Sequence, residues 1–279
     1  MRIALISDIH ANTAALEAVL RAIKRHAPDM ILSLGDQVNL GPCPKETLAL
    51  LRAENVTCLH GNHERYVLSA MAGDPTYAAA NFAAPRHHAS LLKPEDITFP
   101  HQLDMEGVTF CHAIPGDDRF PVFDPALALP KLREMHFDKP THIICGHGHN
   151  PSHIRSGNVT IDSIGAVGCM DDGVPGTAPY VILTLEHGQA MLRPYYAPYE
   201  TKHMKQLFIK SGMVDACPIM ARIICQQMTD NQDYLVQFVQ SAQAISKARG
   251  ETAISQQSWQ EADTAFRWPD GRSTCEFWK

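Results

Sequence analysis

The sequence lacks long apolar runs, paired cysteine motifs and an excess of basic residues. A membrane-spanning helix needs about 20 consecutive apolar residues, and no stretch of this kind is present. The eight cysteines form no C-x-x-C pair, which is typical of reduced and mostly structural thiols. The net charge of −6, from 24 basic and 30 acidic residues, makes a nucleic-acid-binding surface unfavourable.

The composition is that of a globular protein. A length of 279 residues with 45% hydrophobic content predicts one large domain or two. The chain enters an apolar strand directly after Met1-Arg2, without a charged leader and a cleavage site. Together with the unpaired cysteines, this predicts a cytoplasmic protein without a membrane partner.

Short apolar segments alternate with helical patterns. Segments rich in isoleucine, leucine and valine predict buried strands at 3–7, 30–34, 56–60, 108–111 and 142–145. Apolar residues at helical spacing predict helices at 12–26, 45–53 and 63–72, with a less regular helical region at 75–92. Hairpins are expected at 98–111, 152–161 and 180–193. This alternation predicts an α/β (α+β) fold with a mixed sheet and helices outside.

The composition changes near residues 194–198, where strand patterns give way to glutamine, alanine and methionine. We therefore predict a domain at 1–197 and a mainly helical C-terminal extension at 198–279. Within the extension, Tyr234, Phe238, Ala242 and Ile245 form an apolar stripe at helical spacing. Such a stripe is typical of a helix that packs on a core.

Polar residues follow the predicted strands in a fixed order. They lie within the motifs D-I-H, G-D, G-N-H-E, C-H-A and G-H-G-H, and are Asp8, His10, Asp36, Asn62, His63, His112, His147 and His149. Because open α/β sheets bind ligands beyond the carboxyl ends of their strands, these side chains are expected to gather at one edge. Carboxylate and imidazole donors suit Mn, Fe, Zn or Ni. The pattern predicts a two-metal site with Asp36 as the bridging ligand.

Spacing and glycines support the same interpretation. Gly146 and Gly148 remove side chains where the backbone must make a tight loop. Pairs two residues apart can both point to one side of a strand end; the pairs are Asp8 with His10 and His147 with His149. Both pairs could therefore contribute two metal ligands each.

The order of these motifs resembles that of the calcineurin-like metallophosphoesterase superfamily, in particular its compact bacterial and archaeal phosphodiesterase-like branch. The resemblance covers about residues 1–195 and implies a four-layer α/β/β/α sandwich. It implies that one metal ion is bound by Asp8, His10, Asp36 and His149. It implies that a second metal ion is bound by Asp36, Asn62, His112 and His147.

The resemblance also assigns roles at the substrate. His63 would contact the phosphate and protonate the leaving oxygen. Glu64 would be the partner of His63 and would not contact the substrate itself. From the sequence itself, Arg86 in a basic helical cluster and Arg119 in an Asp-Asp-Arg loop are weaker candidates for contact with substrate phosphate. The predicted reaction is hydrolysis of a small phosphodiester or phosphomonoester by metal-bound hydroxide, with Asn62 and the metal ions stabilising the transition state.

Departures from the superfamily pattern leave alternatives open. Asn39-Leu40 stands where the serine/threonine phosphatase and dinucleoside polyphosphate hydrolase branch has Asp-Arg, which disfavours those two activities. The segment 163–168 also lacks the Asn and Ser of many relatives, which could alter how the distal part of a substrate is bound. A non-catalytic scaffold is a further alternative, to which the long extension gives some support. A homo-oligomer is possible.

Overall fold

The computed structural model describes residues 1–186 and 189–279. Its strands are β1 (Arg2–Ile6), β2 (Met30–Ser33), β3 (Thr57–Cys58), β4 (Gln102–Met105), β5 (Val108–Cys111), β6 (Thr141–Cys145), β7 (Ser152–Ser156), β8 (Val159–Ser163), β9 (Thr177–Glu186) and β10 (Gln189–Pro198). The first five helices are α1 (Thr13–Ile23), α2 (Pro44–Ala53), α3 (Asn62–Met71), α4 (Ala83–Ala89) and α5 (Pro125–Glu134).

Six further helices follow the last strand. They are α6 (Met204–Lys210), α7 (Met213–Ala216), α8 (Pro218–Asp230), α9 (Leu235–Ala248), α10 (Gln256–Ala265) and α11 (Thr274–Trp278). Across residues 1–186 and 189–279, none of the helices combines the length and the apolarity that crossing a membrane requires.

Two five-stranded mixed sheets form the centre of the protein. One sheet has the order β10-β9-β1-β2-β3 and the other the order β4-β5-β6-β8-β7. The strands β1, β2 and β3 are parallel to one another, as are β5, β6 and β8. Parallel strands of each sheet therefore end at the same edge, where their following loops can meet.

The alternation of side chains along β1 shows how the layers are built. Ile3 and Leu5 lie in an apolar cluster with Phe110 and Ile144 of the second sheet. Ala4 and Ile6 point the other way, into a cluster with α1. The helix α5 covers the outer face of the second sheet. The predicted α/β sandwich, with two mixed sheets flanked by helices, is thus confirmed.

The predicted elements differ from the observed ones mainly in length. The strand predicted at 56–60 is reduced to β3, because the Val56 amide donates back to Leu51 of α2 and the chain turns away from β2 at His60, whose amide donates to Pro100. The helix predicted from residue 12 begins one residue later, since the Asn12 side chain accepts a hydrogen bond from the Ala15 amide and caps α1. The turn of the predicted 180–193 hairpin, His187-Gly188, lies outside the described residues.

The C-terminal helices share an apolar core with the first part of the chain. Phe238 is fully buried, and its ring lies 4.7 Å from that of Trp259 and 5.2 Å from that of Phe266. Leu40 and Cys169, from loops that follow β2 and β8, belong to the same cluster. The helices α6 to α11 therefore pack directly on the loops that border the strand ends, while the proposed division at 197/198 stays a prediction.

This packing predicts a large stability difference between two positions on α9. Phe238→Ala should lower the free energy of unfolding by about 3 to 5 kcal/mol, because it removes a buried ring and leaves a cavity. Val236→Ala on the same helix should change it by less than about 0.5 kcal/mol, because Val236 is exposed. Urea unfolding measures both values. A loss below about 1 kcal/mol in Phe238→Ala would show that the extension is not packed as described.

Candidate metal centre

Loops after the parallel strands converge at one edge of the sandwich. Asp8 and His10 follow β1, and Asp36 follows β2. His112 follows β5 directly, and the His147–His149 turn follows β6. Asn62 and His63 form the first turn of α3. The structure therefore brings all eight side chains of the predicted site to one place.

Backbone hydrogen bonds tie these loops to one another. The amide of His10 donates to the Asp36 carbonyl at 2.9 Å, and the amide of Asp8 donates to the Gly35 carbonyl at 3.1 Å. The Gly146 amide donates to the carbonyl of His112 at 2.9 Å. Since the bonds join loops from different strands, the positions of the polar side chains are fixed by the ends of both sheets.

The same loops contain an unusual concentration of left-handed backbone. Seven non-glycine residues around the site have positive φ angles: Asp8, His10, Ala11, Asp36, Asn39, Leu40 and His147. Side chains with a β-carbon rarely adopt this conformation, and it persists only where surrounding structure over-determines it. Glycine is needed beside them, because a β-carbon at Gly61 would collide with the Asp36 carboxylate. Strain of this kind is characteristic of functional sites.

Among the described residues, three groups of possible ligand atoms are close enough to hold a cation; one of them is His10, Asp36 and His63, and the other two share Asp8. Asp8 Oδ1 is 3.9 Å from His10 Nε2 and 3.8 Å from His149 Nε2, and the two imidazole nitrogens are 3.1 Å apart. Within each group of Asp8, His10 and His149, or of Asp8, Asp36 and His112, the ligand atoms lie within 4.8 Å of one another. The Asp8 carboxylate is common to both groups.

Asp36 lies at the centre of the remaining donors. Its Oδ2 is 3.3 Å from Nε2 of His112, 3.9 Å from that of His63 and 4.0 Å from that of His10. Asn62 Oδ1 is 2.9 Å from His112 Nε2. Asp36 thus belongs to the candidate metal-binding groups, and the bridging role that the sequence predicts for it stays a prediction.

His147 is set slightly apart from this arrangement. Its backbone amide donates to Asp8 Oδ2 at 3.0 Å, and its ring lies 5.2 Å from that of His112. Burial lowers the pKa of His147 to about 3, which keeps its imidazole neutral and able to coordinate a cation. A β-carbon at Gly146 would collide with Ser7, so the predicted need for glycine there agrees with the structure.

The chemistry of the donors fits divalent cations. Asp8 Oδ1 and His10 Nδ1 are buried without a hydrogen-bond partner among the described residues, and two imidazole nitrogens face each other. Although burial opposes it, the Asp36 carboxylate raises the pKa of His112 to about 10. Against the same burial, Asp171 raises the pKa of His149 to about 9. The carboxylates thus stabilise positive charge on their neighbours, and bound cations would supply that charge in place of protons.

Glu64 has a different role from the predicted one, and the expectation is corrected. Its carboxylate accepts hydrogen bonds from the backbone amides of Asp36, Gln37, Val38 and Gly61, at 2.8 to 3.1 Å. Burial and the nearby Asp36 carboxylate raise the pKa of Glu64 to about 8, while the amide hydrogen bonds oppose that rise. With both oxygens occupied by amides, Glu64 holds the Asp36 loop against the start of α3 instead of supporting His63.

Asn39 is the side chain that contacts His63. Its Nδ2 lies 2.8 Å from His63 Nδ1, and its Oδ1 accepts the Leu40 amide at 2.8 Å. The second bond identifies the oxygen of the amide, so the NH₂ group faces the ring and donates to Nδ1. The proton of neutral His63 then resides on Nε2, the nitrogen that faces Asp36.

The two candidate arginines have different environments in the structure. Arg86 donates to the backbone carbonyls of Tyr77 and Ala79, so its predicted contact with substrate is corrected to a local structural role. Arg119 remains near the site, because the neighbouring Tyr66 hydroxyl raises the pKa of Arg119. The Tyr66 ring lies 5.1 Å from that of His63.

Sequence reasoning did not identify two further residues of the site. Asp171 Oδ1 is 3.1 Å from His149 Nδ1 and accepts a hydrogen bond from the Gln227 amide group at 2.8 Å. Gln227 lies on α8, so the C-terminal extension reaches the support of a candidate metal ligand. Neither residue belongs to a motif, and the acidic side chain of Asp171 is the one feature of the sequence that indicates a role at the site.

A sandwich of two sheets flanked by helices, with clustered aspartate, histidine and asparagine at its strand ends, defines the metallophosphoesterase class of fold. The family model of the calcineurin-like phosphoesterase superfamily domain matches residues 1–188. The chain belongs to this superfamily, as the order of its motifs predicts.

The chain is also similar to individual proteins and solved structures. An uncharacterised protein of Methanocaldococcus jannaschii is 33% identical over 159 residues, which is 53% of this chain and 63% of that protein. A metallophosphoesterase from Sphaerobacter thermophilus has 26% identity and a TM-score of 0.63, with 82% of this chain and 100% of that chain covered. A hypothetical protein from Pyrococcus horikoshii shares the fold at 14% identity and a TM-score of 0.60, with 83% and 99% covered.

The contact between Asp171 and His149 predicts an effect on metal affinity. Asp171→Ala should weaken divalent metal binding about 10- to 100-fold, because the partner of a ligating imidazole fixes its orientation and basicity. Asp172→Ala removes the adjacent, exposed carboxylate and should leave affinity within about 2-fold. Calorimetric titration with Mn²⁺ compares the variants. Equal losses in both would indicate a general charge effect instead of a specific contact.

Proposed function

We propose that this protein is a two-metal phosphoesterase that hydrolyses a small phosphodiester or phosphomonoester. The observation that carries the proposal is the buried cluster in which the Asp8 and Asp36 carboxylates face four imidazoles within 4 Å. Membership of the calcineurin-like phosphoesterase superfamily supports phosphoester chemistry. The proposed reaction is attack of water on phosphorus with departure of an alcohol or phenol.

The proposed ligand sets follow the arrangement of the donors. One cation would be held by Asp8, His10, Asp36 and His149, and the other by Asp36, Asn62, His112 and His147. When bound, two divalent ions such as Mn²⁺ supply positive charge to the phosphoryl oxygens and acidify water. Asn62 Oδ1 and the Asp36 carboxylate would hold these positions without further movement, since both are buried.

His63 would act on the leaving group. The Asn39 amide donates a hydrogen bond to Nδ1 of His63, so the ring carries its proton on Nε2. This nitrogen faces the cluster and lies 3.9 Å from Asp36 Oδ2. A hydrogen bond donated by the Nε2–H group to the departing oxygen would stabilise the negative charge that develops there, and water would protonate the released alkoxide or phenoxide. Burial lowers the pKa of His63 to about 4, which favours the neutral ring with a single, well-placed proton.

Access to the cluster supports a small substrate. The side chains of His63 and His149 are 15% and 16% exposed, whereas Asp8 and His10 are fully buried. A phosphoryl group can therefore approach on the side of His63 and His149. Arg119, held against Tyr66 next to His63, adds positive charge near that opening. An anionic ester with a compact reacting group fits this geometry.

The role of His63 predicts a loss of turnover without loss of metal. His63→Ala should reduce kcat for bis(p-nitrophenyl) phosphate by about 10²- to 10³-fold, because a hydrogen-bond donor to the charge that develops in the transition state is removed. Metal content, measured by mass spectrometry, should stay near that of the wild type. His136→Ala, at an exposed position, is the matched control and should retain full turnover. Unchanged kcat in His63→Ala would contradict the proposed hydrogen bond from His63.

The role proposed for Asp36 predicts that turnover and metal binding are lost together. Asp36→Asn should lose both turnover and at least one metal ion per chain, because a bridging position requires a charged carboxylate. Metal content and circular dichroism, measured on the same sample, separate loss of the site from loss of the fold. Retention of two metal ions in a folded Asp36→Asn protein would contradict the bridging role.

A further inference from the structure

An exposed aromatic side chain borders the candidate metal centre. Phe123 is 55% exposed, and its ring lies 5.9 Å from that of His147 at an interplanar angle of 61°. Its position on the surface is costly, because an apolar side chain gains free energy by leaving water. A phenyl ring held in solvent beside a candidate metal ligand indicates contact with a bound molecule.

The loop that carries Phe123 is firmly anchored. Phe120 and Val122 are buried in the core of the second sheet, and Ser152 Oγ donates to the Val122 carbonyl at 2.6 Å. On the other side, Asp124 caps α5 by accepting the Ala126 amide. Phe123 is therefore confined between two fixed residues and cannot turn into the core without breaking these contacts.

Gly148, between His147 and His149, lies beside Phe123. A β-carbon added at Gly148 would lie 3.4 Å from Phe123 Cβ, an ordinary van der Waals distance. Phe123 therefore borders the turn that carries both histidines. The phosphate position proposed above borders His149 of the same turn, so the ring and the phosphate would be neighbours.

We propose that Phe123 forms a subsite for an aromatic group attached to the phosphate of the substrate. The inference rests on the proposed phosphoesterase function and specifies its substrate class: an aryl ester or a nucleotide-like ester in preference to a short aliphatic one. Phe123 is 55% exposed and its ring is inclined at 61° to that of His147, so part of the phenyl surface is open to solvent for offset stacking. Aromatic pairs gain stability beyond burial alone, which an aliphatic group cannot match.

Ligand binding to the metal-loaded protein tests the subsite without catalysis. In calorimetric titrations with Mn²⁺-loaded protein, phenylphosphonate should bind about 2- to 10-fold more tightly than methylphosphonate. Phe123→Ala and Phe123→Leu should both remove this preference, since the leucine variant keeps bulk but lacks a ring. Phe123→Trp should retain it. Leu127→Ala, which alters a 53% exposed side chain on α5, is the matched control and should behave as wild type.

Turnover of two related esters provides the second readout. Bis(p-nitrophenyl) phosphate and methyl p-nitrophenyl phosphate have the same leaving group and differ in the second substituent. Phe123→Ala should raise KM for the first about 2- to 10-fold, with little change in kcat, and raise KM for the second by a smaller factor, since only one of its two substituents is aromatic. Metal content measured in each variant controls for a disturbed His147.

The outcomes separate this inference from the proposed function. Methylphosphonate binding without a preference for phenylphosphonate, or a preference that persists in Phe123→Ala, would overturn the aromatic subsite and leave the phosphate site intact. Absence of binding of either phosphonate, together with absence of hydrolysis, would overturn the phosphoesterase proposal and the subsite with it.

Discussion

The structure depends on two carboxylates buried where the strands end. Asp8 and Asp36 are 0% and 1% exposed, and an ionised carboxylate without compensation would be very costly there. Against the cost of burial, the His112 and His63 imidazoles hold the pKa of Asp36 well below its usual range, whereas burial raises that of Asp8. The strained loops, the close glycines and the hydrogen bonds between loops all serve to bring compensating groups to these two side chains.

Side chains from the first part of the chain and from the C-terminal helices both hold the groups of the cluster in position. Glu64 fixes the Asp36 loop through four backbone amides, and Asn39 fixes the ring of His63. The C-terminal helices contribute Gln227, which holds Asp171 against His149. A rigid set of ligands needs such support, because misplaced donors weaken metal binding and catalysis. The C-terminal helices are therefore coupled to the site and also pack on the loops that border the strand ends.

Local patterns in the sequence predict a mixed α/β fold and the residues that meet at its edge, because parallel strands end on the same side and each motif follows a strand. The four-layer sandwich is what the resemblance of the motifs to the superfamily implies. The local patterns do not predict the partners of those residues. Glu64 points away from His63 because the first turn of α3 aims it at residues 36–38, and Asn39 reaches His63 only through a left-handed turn with φ of 70°. The contact of Gln227 with Asp171 joins residues 56 positions apart and depends on the docking of α8.

The number and position of bound metal ions test the central claim most directly. Crystals grown with Mn²⁺ should show two anomalous scattering peaks roughly 3.5 to 4 Å apart. Asp36 should lie between them, with His10 and His149 at one peak and Asn62 and His112 at the other. A single peak, or two peaks that Asp36 does not bridge, would contradict the account of this site as a two-metal centre.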